Sequence, residues 1–130
     1  MVHSQRARDR AAEAMLIGDF ARAVGTTKDT VRFYTRLGLL VAGERAAGQR
    51  GYAVYAEDQL ERFSFIEQCK SLGFTLQEIG DALRERDAGA LTALRQQALL
   101  EEKLRSLEER IAALREAETR LRAKLEKHGR

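Results

Sequence analysis

The sequence predicts a mainly α-helical protein: a winged helix-turn-helix domain followed by a long coiled-coil dimerisation helix. Three observations predict it. The stretch from Ile17 to Tyr34 reads as two short helices joined by a tight turn at Gly25. Gly43, Gly48 and Gly51 flank a brief aromatic run, Tyr52 to Tyr55, in the manner of a hairpin or wing. From Ala90 to about Lys127 apolar residues recur at alternating three- and four-residue steps, and nothing interrupts a helix. A chain of 130 residues with 44% hydrophobic residues fills one small core, and 33% charged residues without a single proline favour helix throughout.

Residues 1–14 carry three arginines and lack the apolar segment of a secretory signal, so a disordered extension is expected there. The winged domain is expected over residues 15–86 and the dimerisation helix over 87–130. Ala21, four before Gly25, and Val31, six after it, supply a small side chain and an apolar plug where two helices cross. Thr27 is an N-cap for the second helix. On that helix Val31, Tyr34 and Leu37 fall to one side, while Lys28, Arg32 and Arg36 fall to the other. A basic row opposite an apolar row suits a helix that seats on protein with one face and on phosphates and base edges with the other. The competing reading is an ordinary solvated cationic face.

Gly38 ends this helix. On the hairpin that follows, Arg45 and Arg50 are placed to reach phosphates beside the groove; as a plain loop they would be merely solvated. Ala56 to Leu72 reads as a helix with Glu57 and Asp58 at its positive end, and Phe63, Phe65, Ile66, Cys69 and Leu72 share one arc of it. Gly73 stops it. Thr75 and Glu78 form a capping box that starts a helix carrying Leu76, Ile79 and Leu83, and Asp87 to Gly89 breaks the pattern.

The last helix would be about 57 Å long. Its seam of Leu100, Leu104, Leu107, Ile111, Leu114, Leu121 and Leu125 has Glu118 as its one break. A helix this long cannot fold back on so short a chain, so the seam calls for a second copy and a homodimer; spacing leaves parallel and antiparallel open. The alternative is a lone helix held by charged pairs four residues apart.

Charge is unevenly spread. The net charge is +3, yet residues 15–55 carry six basic against three acidic groups, while residues 56–86 carry four against seven. The positive excess therefore lies on the helix-turn-helix and wing. Cys69 is the only cysteine, which excludes an intrachain disulfide and favours a reducing, cytoplasmic setting. No apolar run approaches the ~20 residues that cross a membrane. With no nucleophile beside a base, no phosphate-cradling glycine motif and both histidines near the termini, an enzyme is not expected. One cysteine with the remote His3 and His128 makes no soft-metal site, so no cofactor is expected either.

These residues resemble the MerR-type transcriptional regulators. The match runs through Ile17-Gly-Asp-Phe-Ala21, Thr30-Val-Arg-Phe-Tyr34, Leu37-Gly-Leu-Leu40, Gly51-Tyr-Ala-Val-Tyr55, Leu60-Glu-Arg62, Phe65-Ile66 and Leu72-Gly-Phe-Thr-Leu-Gln-Glu-Ile79. The resemblance implies a dimer joined by an antiparallel coiled coil, a palindromic operator in double-stranded DNA inside an overlong promoter spacer, and distortion of that spacer so that RNA polymerase engages it. It implies that Arg32, Phe33 and Tyr34 clamp the DNA and that Tyr52 is a wing contact. The DNA-facing set is then Thr27, Lys28, Arg32, Phe33, Tyr34, Arg36, Arg45, Arg50 and Tyr52.

Three positions depart from the pattern. Ala53 stands where the wing commonly has arginine, Thr35 where an acidic residue is usual, and Asp29 where a basic or neutral reader is frequent. Asp29 either accepts from a cytosine amino group or caps the helix. Some relatives respond to electrophiles through a cysteine in the helix that holds Cys69, which requires a thiolate exposed or stabilised by a cation; the other reading of Cys69 is a buried structural residue. Relatives that bind organic ligands carry a further domain, and none is expected after Lys127. A second class of function, a coiled-coil module whose winged head docks on a protein, draws on Ala53 and Asp29.

Overall fold

The computed structural model of the protein describes residues 14–44 and 53–129, and its contacts divide the chain into two units at the Arg84–Glu85 bond. The disorder expected of residues 1–14 lies, Ala14 apart, outside the described residues, as do Arg45, Arg50 and Tyr52.

The first unit runs β1 (Met15–Leu16), α1 (Ile17–Val24), α2 (Lys28–Arg36), β2 (Gly43–Glu44), β3 (Ala53–Tyr55), α3 (Asp58–Ser71) and into α4 (Leu76–Asp87). Each helix end has a local cause. At Gly25 φ is 74°, a left-handed conformation that costs other residues about 1–2 kcal/mol. That turn lets the Thr26 N–H reach the Ala21 carbonyl at 2.9 Å and the Gly25 N–H reach Arg22 at 3.2 Å. The same pair of bonds closes α2 at Gly38, α3 at Gly73 and α4 at Gly89. Hydroxyls cap the starts of α2 and α4. Thr27 Oγ1 accepts from the Thr30 N–H at 3.2 Å, and Thr75 and Glu78 exchange bonds of 3.1 and 2.9 Å as the expected capping box.

The three short strands lie in the order β1-β3-β2, both pairings antiparallel, with Met15 opposite Tyr55 and Gly43 opposite Val54. The β2–β3 pair is the root of the expected wing. Strand β1 was not expected: two residues that pair some forty positions away leave no periodicity to read.

The core gathers Phe20, Ala21, Val31, Tyr34, Leu39, Leu40, Tyr55, Phe63, Ile66, Ile79 and Leu83. Four rings from four elements join at its centre. Phe20 stacks on Tyr55 at 4.9 Å and meets Phe63 edge-on at 6.3 Å, and Tyr34 lies 5.8 Å from Phe63. Polar side chains then tie the chain after α2 to α3: the Val41 N–H donates to buried Gln59 Oε1 at 2.8 Å, and Arg62 Nε donates to the Leu39 carbonyl at 2.6 Å.

Two apolar expectations are corrected. Leu37 and Leu72, placed on core-facing arcs, are 48% and 51% exposed, because each lies past the last full turn of its helix, where the backbone has begun to reverse. Helix α3 also begins two residues later than expected, at Asp58.

The second unit holds α5 (Ala93–His128). It starts three residues later than expected because Gly89 turns left-handed and Thr92 provides the cap, its Oγ1 accepting from the Arg95 N–H at 3.1 Å. At 1.5 Å per residue this helix is about 54 Å long. Leu100, Leu104, Ile111, Leu114, Leu121 and Leu125 are all exposed along it. Such a stripe of large apolar side chains left facing water is unfavourable, and covering it is the gain a partner surface would bring. No described helix is long and apolar enough to cross a membrane.

Candidate nucleic-acid interface

An open groove of about 860 Å³ lies between the start of α1, the outer face of α2 and strand β3. Arg22, Lys28, Arg32 and Arg36 line it, together with Asp19, Asp29, Gly18, Thr35 and Ala53. Each cation has a structural reason to be there. Lys28, Arg32 and Arg36 recur at one helical turn on α2, whose opposite face, Val31 and Tyr34, is buried. Arg22 comes from α1 and is paired with Asp19 one turn earlier. A Cβ on Gly18 would stand 3.3 Å from Lys28 Cε, so the bare backbone there makes room for the lysine stem across the start of α1.

The arginines are aimed. Arg32 Nη1 lies 3.1 Å from Asp29 Oδ1, with the Arg32 side chain 56% exposed, so one carboxylate orients the guanidinium and its remaining donors face outward. Asp29 does not cap the helix, which is the work of Thr27. Arg36 lies 6.0 Å from the Phe33 ring, which is 42% exposed. Thr35 turns the other way: its hydroxyl donates to the Val31 carbonyl at 2.7 Å and shares a 2.9 Å hydrogen bond with the Tyr55 hydroxyl, binding α2 to the wing strand.

Tyr34 is a correction. The resemblance makes it a DNA contact, yet it is 2% exposed and its hydroxyl lies 2.7 Å from Lys70 Nζ and 3.0 Å from Glu67 Oε1 on α3. It anchors α2 to α3. Burial raises its pKa above the ordinary 10.0, and the hydrogen bond to Tyr34 raises that of Lys70 above 10.5. Thr27, Lys28, Arg32, Phe33 and Arg36 come together on the exposed side of α2. Arg45, Arg50 and Tyr52 lie outside the described residues. Arg22 and Gly18 escaped sequence reasoning, although Asp19 and Arg22, three apart on α1, were a readable pair.

Cys69 is half-buried among the apolar residues packed on the core. Burial pushes its thiol up from the ordinary value, and the adjacent Lys70 points at the Tyr34 hydroxyl instead of at the sulfur.

Sequence and structure comparisons agree with this geometry. The family described as "MerR HTH family regulatory protein" matches residues 15–86, and "MerR, DNA binding" matches residues 60–124. The chain belongs to the MerR family. It is a DNA-binding transcription regulator and not an enzyme. Among MerR relatives, it is 42% identical to the mercuric resistance operon regulatory protein of Bacillus cereus over 52% of this chain and 49% of that one. The match therefore spans about half that relative's length. It is 35% identical to the protein of the same description from Pseudomonas fluorescens, over 78% of this chain and 68% of the relative. Among solved structures, the lead(II) complex of the transcription regulator PbrR691 from Ralstonia metallidurans CH34 superposes with a TM-score of 0.70 at 32% identity, covering 82% and 81% of the two chains. HiNmlR, a MerR family regulator bound to promoter DNA, shares the fold with a TM-score of 0.58 at 24% identity over 86% of this chain and 87% of that one. A soft metal in such a protein needs converging thiolate or imidazole donors. Among the described residues no three of His, Cys, Asp and Glu stand close enough to hold one, and the start of α5 offers Thr92 and Arg95.

Proposed function

We propose that the protein acts as a homodimer on a palindromic promoter operator in double-stranded DNA, in a cytoplasmic setting, distorting the spacer so that RNA polymerase engages the promoter. The observation that carries this reading is the groove in which Arg22, Lys28, Arg32 and Arg36 from two helices meet the wing strand. Helix α2 enters the major groove with Lys28, Arg32 and Arg36 outward, while the wing follows the flanking backbone. Phosphate contacts set the register, and Arg32, held by Asp29, is the side chain with donors free to meet a guanine edge. Bending a site costs about 1–6 kcal/mol, and the contacts of two heads on one duplex offset it. Joining two heads through α5 supplies both halves of a palindrome. The half-buried Cys69, its thiol pushed up by burial, supports a structural role over electrophile sensing.

Gel-shift titration against the DNA upstream of the protein's own gene tests the reading. Affinity should fall steeply with salt, as several phosphates are neutralised per dimer. Arg32→Ala should weaken operator binding at least about tenfold while the dimer stays intact. Absence of any shift at low salt would favour a head that docks on protein.

A further inference from the structure

Asp29 and Arg32 stand one turn apart on the outer face of α2 and both line the cationic groove. Asp29 is the odd member of that face. Its side chain is 94% exposed, Thr27 rather than this carboxylate caps the helix, and among the described residues Arg32 is its one polar partner. An exposed ion pair of this kind adds little to folding, and a carboxylate turned toward DNA is repelled by phosphates. A groove built for charge alone would do better without it.

We infer that Asp29 and Arg32 act as a single reader of one G·C base pair in each half-site, Arg32 donating to guanine O6 and N7 while Asp29 accepts from the cytosine N4 amino group. The inference rests on the operator reading above and makes Asp29 a residue that sets sequence preference. Position supports it, because both residues lie in the leading part of α2, the end of a recognition helix that meets base edges. The other carboxylate–guanidinium pair of the groove, Asp19 with Arg22, lies on α1, the helix that crosses the backbone.

Spacing supports it too. In a G·C pair O6 and N4 are themselves hydrogen-bonded, about 2.9 Å apart, close to the 3.1 Å between Arg32 Nη1 and Asp29 Oδ1. Laid against that edge, one Nη1 hydrogen reaches O6 while the other stays on Oδ1, and Oδ1 accepts the N4 hydrogen with its second lone pair. Nη2 then meets N7. Donor, donor and acceptor on the protein thus face acceptor, acceptor and donor on the base pair. C·G and A·T in the same orientation both set an amino group against Nη1 and a carbonyl oxygen against Asp29. T·A keeps the carbonyl for Nη1 and the amino group for Asp29, and loses only N7, where the thymine methyl stands. The order of preference is therefore G·C, then T·A, with A·T and C·G last.

Selection by the full chain from a pool of randomised duplexes, repeated with Asp29→Ala, tests this. The parent should enrich a palindrome with a fixed G·C pair in each half, at a position whose preference Asp29→Ala alters. Gel shifts with that pair replaced in one half should show affinity weakened about fivefold for T·A and at least about thirtyfold for A·T and C·G. In Asp29→Ala the T·A and A·T duplexes should bind within about twofold of each other, since each then offers Arg32 one acceptor. N4-methylcytosine at that position leaves guanine untouched and blocks the amino group; it should weaken the parent about tenfold and Asp29→Ala by less than about twofold. These results together uphold the paired reader. An enriched palindrome with no position altered by Asp29→Ala, or a parent indifferent to N4-methylcytosine there, overturns it and leaves the operator reading standing. A parent chain that enriches no palindrome removes the operator reading and this inference with it.

Discussion

At the scale of single residues, Tyr34 shows how one side chain joins the reading face to its support. It sits on the recognition helix, yet its ring packs against Phe63 and its hydroxyl meets Lys70 and Glu67. The helical spacing of Val31 and Tyr34 already sent this ring inward, and the structure follows the spacing over the family analogy. The raised pKa values have a testable sign. Tyr34, neutral when folded, and Lys70, charged when folded, both hold their protons more tightly in the native state, so both stabilise fully below their unfolded values and lose that contribution as pH rises past about 10. Thermal denaturation should show a falling alkaline limb that is shallower in Tyr34→Phe, which should also cost about 1 kcal/mol at neutral pH. Ala53 offers the opposite kind of test. It is exposed on β3 and lines the groove without contributing charge. Ala53→Arg should tighten DNA binding and steepen its salt dependence by about one phosphate, read as the slope of log affinity against log salt.

At the scale of elements, what could be read in advance was what is local. Thr27, the Thr75–Glu78 box and the stops at Gly25, Gly38, Gly73 and Gly89 are each decided within six residues, and each stands as expected. What escaped depends on distant partners. Strand β1 exists only through β3, and the groove draws Arg22 and Gly18 from α1 to α2 through tertiary packing. Leu37 and Leu72 misled because a helical wheel drawn past a terminal turn describes directions the backbone no longer takes. The glycine ends allow a clean measurement. Among the described residues no side chain lies within 4 Å of where a Cβ on Gly25 would stand, so Gly25→Ala probes backbone strain. It should lower unfolding stability by about 1–2 kcal/mol in denaturant titration, with the helical circular dichroism retained.

At the scale of the whole molecule, charge and apolar surface are divided by task. Basic groups collect on the α1–α2 groove, acidic groups on the α3–α4 stretch, and the large exposed leucines on α5. Leu114→Asp, which puts a carboxylate into the exposed apolar stripe of α5 that the proposed homodimer covers, should raise the dimer dissociation constant at least about a hundredfold by sedimentation while the first unit keeps its fold. Operator affinity should fall with it, because a single head then holds only one half-site.

The fastening of residues 39–41 to α3 by Gln59 and Arg62 has a consequence for redesign. The chain leading into β2 is bolted to a buried glutamine and to α3, so Gln59 and Arg62 are two anchor points that any re-engineering of the wing has to leave untouched.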